Sequence, residues 1–168
     1  MFWKKSKADR KNTTDVIDKD ERFVVGNWKC HKTFDEAKQW FDNFADFYTP
    51  VDKLSIIIAP PFLCLERLAE YVKELNLPQV HLAAQDVSPF PRGGYTGEIS
   101  ADMLKELVDY VIVGHSERRK YFHETSQQVS NKVLETVDMG MIPIICVDES
   151  YAMSQLTILN ELETRKVI

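Results

Sequence analysis

The run Tyr110–Val113 constrains the chain most, because all four residues are aromatic or β-branched and no polar residue alternates with them. A run of that kind suits a parallel strand covered on both faces, and parallel strands need long crossovers, usually helices, between them. Gly114 follows and lets backbone or ligand approach closely. His115 and Ser116 then stand where the next helix begins. There, free N–H groups and the positive dipole end oppose protonation of an imidazole, leaving a neutral ring that donates a hydrogen bond at pH 7. Taken alone, His115 serves equally well as a helix cap or a packing histidine.

A second apolar run, Phe23–Val25, ends in Gly26 and presents Asn27, Trp28 and Lys29. In extended backbone, residues two apart share a face, so Asn27 and Lys29 are expected to project together while Trp28 turns into packing. An amide donor beside an ammonium at a strand's C-terminal end forms a clamp for an oxyanion or phosphate. The alternative is an ordinary surface lysine after a strand.

The rest of the sequence alternates strand and helix signals. Thr33 with Glu36 has the spacing of a capping box, and Phe34, Ala37, Trp40, Phe41, Phe44 and Tyr48 recur at helical intervals. Leu54–Ala59 reads as a second strand stopped by Pro60 and Pro61, with a proline suited to the first turn of the following helix. That helix has Leu65, Leu68, Ala69, Val72 and Leu75 as its stripe. Val80–Ala84 reads as a third strand ending in Gln85 and Asp86, followed by a proline- and glycine-rich loop over Ser88–Gly97. Ser100 is expected to cap a helix reaching about Asp109. Thr125 with Gln128 opens another, whose stripe is Val129, Val133 and Val137 and whose end is Gly140. Met141–Val147 reads as a fifth strand with Pro143 near its start, and Met153–Val167 as a helix anchored by Leu156, Leu159 and Leu162.

Charge and cysteine usage narrow the partners. A net charge of −5 argues against nucleic acid, so an anionic ligand must be drawn by local cations such as Lys29. Cys30, Cys64 and Cys146 are odd in number and lack C-x-x-C spacing, which reads as reduced thiols and a cytoplasmic location. Cys146 follows Ile144 and Ile145 and is assigned to packing. Residues 1–22 form a charged extension without the apolar core of a signal peptide, and no apolar run approaches the ~18 residues a membrane span needs. The domain is therefore expected over residues 23–168.

Five motifs, GNWK at Gly26–Lys29, AAQD at Ala83–Asp86, YTGEIS at Tyr95–Ser100, GHSERR at Gly114–Arg119 and CVDE at Cys146–Glu149, occur in an order that resembles the triosephosphate isomerase family. The resemblance implies an α/β fold of the TIM (β/α)8-barrel type, incomplete, with about five parallel βα units in this chain. It implies an isomerase that interconverts dihydroxyacetone phosphate and glyceraldehyde 3-phosphate through an enediolate, with no cofactor and no metal. Asn27 and Lys29 match the substrate-binding pair, with Lys29 offsetting anionic charge, and His115 matches the electrophilic histidine. Ser116 and Glu117 match supporting positions, Glu117 holding Lys29 in place. Arg118 and Arg119 match structural partners of acidic groups. Tyr95, Thr96, Gly97 and Glu98 match the tip of a loop that enters a second subunit of a homodimer; without the motif order the same segment reads as an exposed connector.

The resemblance also defines what to expect of the chain by itself. The family's general base is a glutamate in a segment resembling YEPVWAIGTG, and none occurs through Ile168. Glu98, Glu117 and Glu149 fill other family positions. Loss of a positioned base removes roughly 10²–10⁴ in rate, so the separate chain is expected to be inactive. A barrel typically needs ~250 residues, and an arc of five strands leaves open edges: either another copy or a separate C-terminal fragment covers them, or the product is marginal and prone to aggregate. Asp148 stands where the family usually has glycine, and His123 where it has a small residue. Two alternatives are carried: a non-catalytic remnant or interaction module of the same fold, and a doubly wound α/β binding domain. No G-x-G-x-x-G follows the first strand, which argues against a dinucleotide-binding version of the latter.

Overall fold

In the computed structural model, residues 20–147 are described. The expected helix over Met153–Val167, most of the charged extension, Asp148 and Glu149 lie outside the described residues. The first strand, β1, spans Arg22–Asn27, one residue earlier than expected. Its entry is tied to the next strand through Lys53 Nζ to Asp20 Oδ2 at 3.3 Å and Ser55 Oγ to Glu21 Oε1 at 2.5 Å. Helix α1, Phe34–Phe47, starts at the expected capping box, with Thr33 and Glu36 each satisfying the other's backbone N–H. Strand β2 is Leu54–Ala59 and helix α2 is Phe62–Leu75, with Pro61 at the N-cap and Asn76 closing the helix in left-handed backbone.

Strand β3, Val80–Ala84, leads through the long loop to a single turn of helix, α3, Ala101–Leu104. The expected helix to Asp109 is corrected here. The Leu107 and Val108 N–H groups both return to Leu104 O, at 2.8 and 3.1 Å, which closes the helix and releases the chain into the next strand. Ser100 holds the N-cap position but its side chain caps nothing, and its buried Oγ has no partner among the described residues. Strand β4 is Tyr110–Val113 and helix α4 is Ser116–Phe122. Helix α5, Ser126–Asp138, opens on the Thr125–Gln128 capping box, and Gly140 follows it at φ 77. Strand β5, Ile142–Ile145, is shorter than expected. The Ile142 and Cys146 N–H groups bond toward β4, so Pro143 lacks its N–H on the opposite side, where the proline costs no bond to β4.

The five strands are parallel and lie in chain order β1-β2-β3-β4-β5. Each crossover therefore steps the same way, and right-handed crossovers then put every helix on one face. A doubly wound sheet must reverse its order at a switch point, and these strands do not, which sets that alternative aside. Packing shows the same asymmetry. Residues of α1, α2 and α5 share one cluster with Ile58, Leu82, Val111 and Val113. A second cluster, Ile57, Ala59, Ala83, Tyr110 and Ile112 with Phe23, Ile142, Ile144 and Cys146, contains no helix residue. The sheet curls around this second face as half of a barrel. At its first edge, Val24 and Val25 on opposite faces of β1 are 54% and 43% exposed, so the arc is open there among the described residues.

Candidate functional site

Asn27, Ala59, Ala84, Val113 and Ile145 end their strands at one rim, the side where barrels of this kind carry their chemistry. Lys29 lies just beyond β1. The predicted shared strand face is corrected: β1 stops at Asn27, and Lys29 adopts left-handed backbone at φ 53. The two residues still meet, because the Lys29 N–H donates to Asn27 Oδ1 at 2.9 Å. Trp28 turns into packing as expected, its ring 5.1 Å from Trp40 and 5.8 Å from Phe41 on α1.

From the other side of the rim, α4 delivers His115 and Glu117. Lys29 Nζ donates to Glu117 Oε1 at 2.6 Å, and both side chains are about half-exposed. His115 is the N-cap of α4, and its Nδ1 accepts the Glu117 N–H at 3.2 Å. A ring nitrogen that accepts an N–H uses its lone pair, which leaves Nε2 as the protonated nitrogen of the neutral ring. Glu117 Oε2 stands 3.5 Å from the same Nδ1. Glu117 thus touches both other groups, the ammonium through its carboxylate and the imidazole through its amide. The Lys29 hydrogen bond holds the Glu117 carboxyl below the usual glutamate range.

The helix that carries these groups is anchored from below. Gly114 sits at φ 71, where an added Cβ would meet Arg119 Nη2 at 2.9 Å and both Val129 methyls at 3.2 Å. Arg119 Nη2 donates to the Cys146 carbonyl, joining α4 to the end of β5. Burial pushes the Cys146 thiol up, in keeping with packing. Arg118 Nε lies 2.8 Å from Asp86 Oδ2 and 3.3 Å from Glu124 Oε1. The buried Lys132 Nζ lies 2.6 Å from Asp86 Oδ1 and also contacts Glu124 Oε1. His123 closes α4 in left-handed backbone at φ 55, a conformation glycine adopts without the Cβ cost that a histidine carries.

Not every predicted residue joins this group. Tyr95, Thr96, Gly97 and Glu98 are exposed, and the loop holds itself by Tyr95 stacking on Phe90 at 4.5 Å and by Glu98 N to Tyr95 O at 3.0 Å. Ser116 is the first residue of α4 and is exposed. His81 lies at the opposite end of the inner face, its Nδ1 2.9 Å from Asp109 Oδ2. Among the described residues no group of three or more His, Cys, Asp or Glu could hold a metal ion, and no helix is long and apolar enough to cross a membrane.

One site residue had no assigned role in the sequence reading. Gln85 Nε2 donates to Lys29 O and to Ala59 O, both at 2.8 Å. Its signal in the sequence is an amide that continues the inward-facing alternation His81, Ala83, Gln85 past the end of an apolar strand.

A parallel sheet wound in one direction, helices on its outer face and a lysine, glutamate and histidine gathered beyond the strand ends define a protein of the (β/α)-barrel class. The triosephosphate isomerase family model matches residues 22–166. The chain belongs to the triosephosphate isomerase family. It is 41% identical over 127 residues to triosephosphate isomerase of Fusobacterium nucleatum, covering 75% of this chain and 49% of that one. It is 41% identical over 133 residues to that of a Thermoanaerobacter species, covering 79% and 52%. With that of Clostridium tetani it shares 34% over 145 residues, covering 86% and 55%. The chain thus spans about half the length of the relatives it matches.

Proposed function

We propose that this chain supplies the charge-stabilising half of a triose-phosphate isomerase site, acting on dihydroxyacetone phosphate and glyceraldehyde 3-phosphate through an enediolate. The observation that carries the proposal is the convergence of Lys29, Glu117 and His115 on one rim position, with the amine 2.6 Å from the carboxylate and the imidazole bonded to the same residue's amide at 3.2 Å. In this reading His115 Nε2 donates to the substrate carbonyl oxygen as it gains negative charge, and Lys29 offsets that charge and the phosphate. Asn27, whose Oδ1 is engaged by the Lys29 N–H, donates from Nδ2. Glu117 orients both. Ser116 supports the turn.

Moving the proton requires a base, and by family resemblance that is a glutamate in a YEPVWAIGTG-like segment, which the 168 residues do not contain. The proposal is therefore that turnover needs polypeptide bearing such a segment, in continuation or as a separate fragment. A homodimer joined through the Tyr95–Glu98 loop, a cytoplasmic location and a charged extension outside the barrel belong to the same proposal. A coupled assay of triose-phosphate interconversion, with and without a fragment carrying the segment, tests it. Activity is expected only with the fragment, and His115→Gln is expected to lower it by about 10²–10³-fold. No activity in either case favours the non-catalytic remnant, and a fully active His115→Gln removes His115 from its role.

A further inference from the structure

Lys29 is a residue with a Cβ held at φ 53, a conformation that side-chain sterics disfavour and that persists only where surrounding contacts over-determine it. The contacts before it are plain. The Trp28 N–H donates to Ala59 O at 3.0 Å, the Trp28 indole packs on Trp40 and Phe41, and the Lys29 N–H donates to Asn27 Oδ1. These fix the peptide that enters residue 29. The peptide that leaves it is fixed by the Lys29 carbonyl, which accepts from Gln85 Nε2 at 2.8 Å.

The same nitrogen donates to Ala59 O, the last carbonyl of β2, at 2.8 Å. A carboxamide nitrogen has two hydrogens, and here two carbonyls take them. The opposite flip would set the amide oxygen against both acceptors, so the orientation of Gln85 follows from its partners. Gln85 thus ties the end of β3 to the end of β2 and to the left-handed turn after β1.

We propose that Gln85 is a positioning residue for Lys29: its amide holds the turn after β1 in the left-handed form from which the ammonium reaches Glu117 and the anion site. The inference deepens the proposed function and rests on its reading of Lys29 as the cation of that site. Without the Gln85 donors the Lys29 carbonyl is free to bond to water instead, the backbone relaxes to negative φ, and the amine leaves the rim.

The test reads the backbone and the ion pair separately from turnover. Gln85→Met keeps the side-chain length and removes both donors. In the folded variant, the strong intraresidue amide–Hα NOE that marks positive φ at Lys29 is expected to weaken. The Glu117 carboxyl is expected to titrate higher than in the wild-type chain, while Ile57 amide resonances in β2 stay in place. A merely structural Gln85 would lower thermal stability and leave both signatures unchanged, and that result overturns the proposal. If the methionine variant does not fold, Gln85→Glu decides, because the protonated acid keeps one donor and the carboxylate none. The Lys29 NOE is then expected to be strong below the titration of residue 85 and weak above it, against a constant signal in the wild type; a constant signal in the variant overturns the proposal. Isomerase assays on the same samples speak to the proposed function alone, since absent turnover in the wild type with the complementing segment leaves the role of Gln85 to the NMR result.

Discussion

Lys29 Nζ lies 2.6 Å from Glu117 Oε1, joining the end of the first strand to a helix 88 residues later in the chain. The pair brings a flexible ammonium to the residue whose own amide occupies His115 Nδ1, so one glutamate sets the position of a cation and of a ring. Such an arrangement fixes geometry more than it stabilises the fold, because both side chains are about half-exposed and water screens their attraction.

Glu117→Gln is accordingly expected to leave the urea-denaturation midpoint at neutral pH close to that of the wild type, because solvent screens the pair. The pH dependence follows from the direction of the shift. The Lys29 hydrogen bond holds the Glu117 carboxyl below the ordinary glutamate range, so the contribution is present above that range and is lost as pH falls through the lower folded-state value. Wild type and variant should converge in acid. A deficit that persists there would assign the effect to packing.

Gly114→Ala is expected to destabilise by about 1–3 kcal/mol, from the left-handed backbone of φ 71 together with the crowding of Arg119 Nη2 and Val129. The guanidinium can swing aside, but it then loses the Cys146 carbonyl, and α4 loses its tie to β5. Chemical denaturation measures the first effect, and a shifted His115 ring resonance the second. A variant as stable as the wild type would show that the turn has room the distances deny it.

Tyr110 gives an alkaline signature. Burial first, then the Glu21 and Asp109 carboxylates, push its phenol up to about 12. A raised group stabilises fully below the unfolded value of 10.0 and loses that contribution as pH rises through the folded value. Stability should fall by roughly 2–3 kcal/mol across that window, and Tyr110→Phe should remove that part of the loss. Phenolate absorbance read alongside denaturation checks this, and an unaltered alkaline slope in the variant would contradict it.

Much of this fold was legible because its determinants are local. Tyr110–Val113 forms the buried strand its side chains demand, and Thr33 with Glu36 and Thr125 with Gln128 start helices through bonds three residues apart. The strand order follows once every crossover is right-handed and joins neighbouring strands. Lys29 was less legible. Two-residue spacing predicts a shared strand face with Asn27, whereas the chain turns left-handed and makes the same pairing through a backbone N–H. Gln85 escaped because its two acceptors lie 56 and 26 residues away, and no local pattern encodes a bond of that span. The expected helix after Ser100 failed for a related reason, since the entry of β4 beside β3 limits the turns available after Leu104.

The cluster beneath α4 offers the sharpest electrostatic test. Lys132 is 3% exposed, and its ammonium lies 2.6 Å from Asp86 Oδ1 and against Glu124 Oε1, with Arg118 bridging the same two carboxylates. Lys132→Met keeps the apolar stem and removes the charge, leaving two buried carboxylates with only the guanidinium between them. Breaking a buried pair this way costs about 3–5 kcal/mol. The sign of its pH dependence is set by Asp86, whose carboxyl is raised from 3.8 because burial outweighs the pull of Lys132 and Arg118. A raised acid stabilises when protonated and loses that contribution as pH climbs, and deleting the ammonium strengthens the tendency. The deficit of Lys132→Met should therefore be largest near neutrality and shrink as pH falls toward the carboxyl range. Urea denaturation across that range distinguishes this from lost packing, which would leave the deficit constant. Because Asp86 follows β3, Arg118 belongs to α4 and Lys132 to α5, the same variant should also loosen the seat of His115 and Glu117, broadening their resonances near neutrality and restoring them in acid.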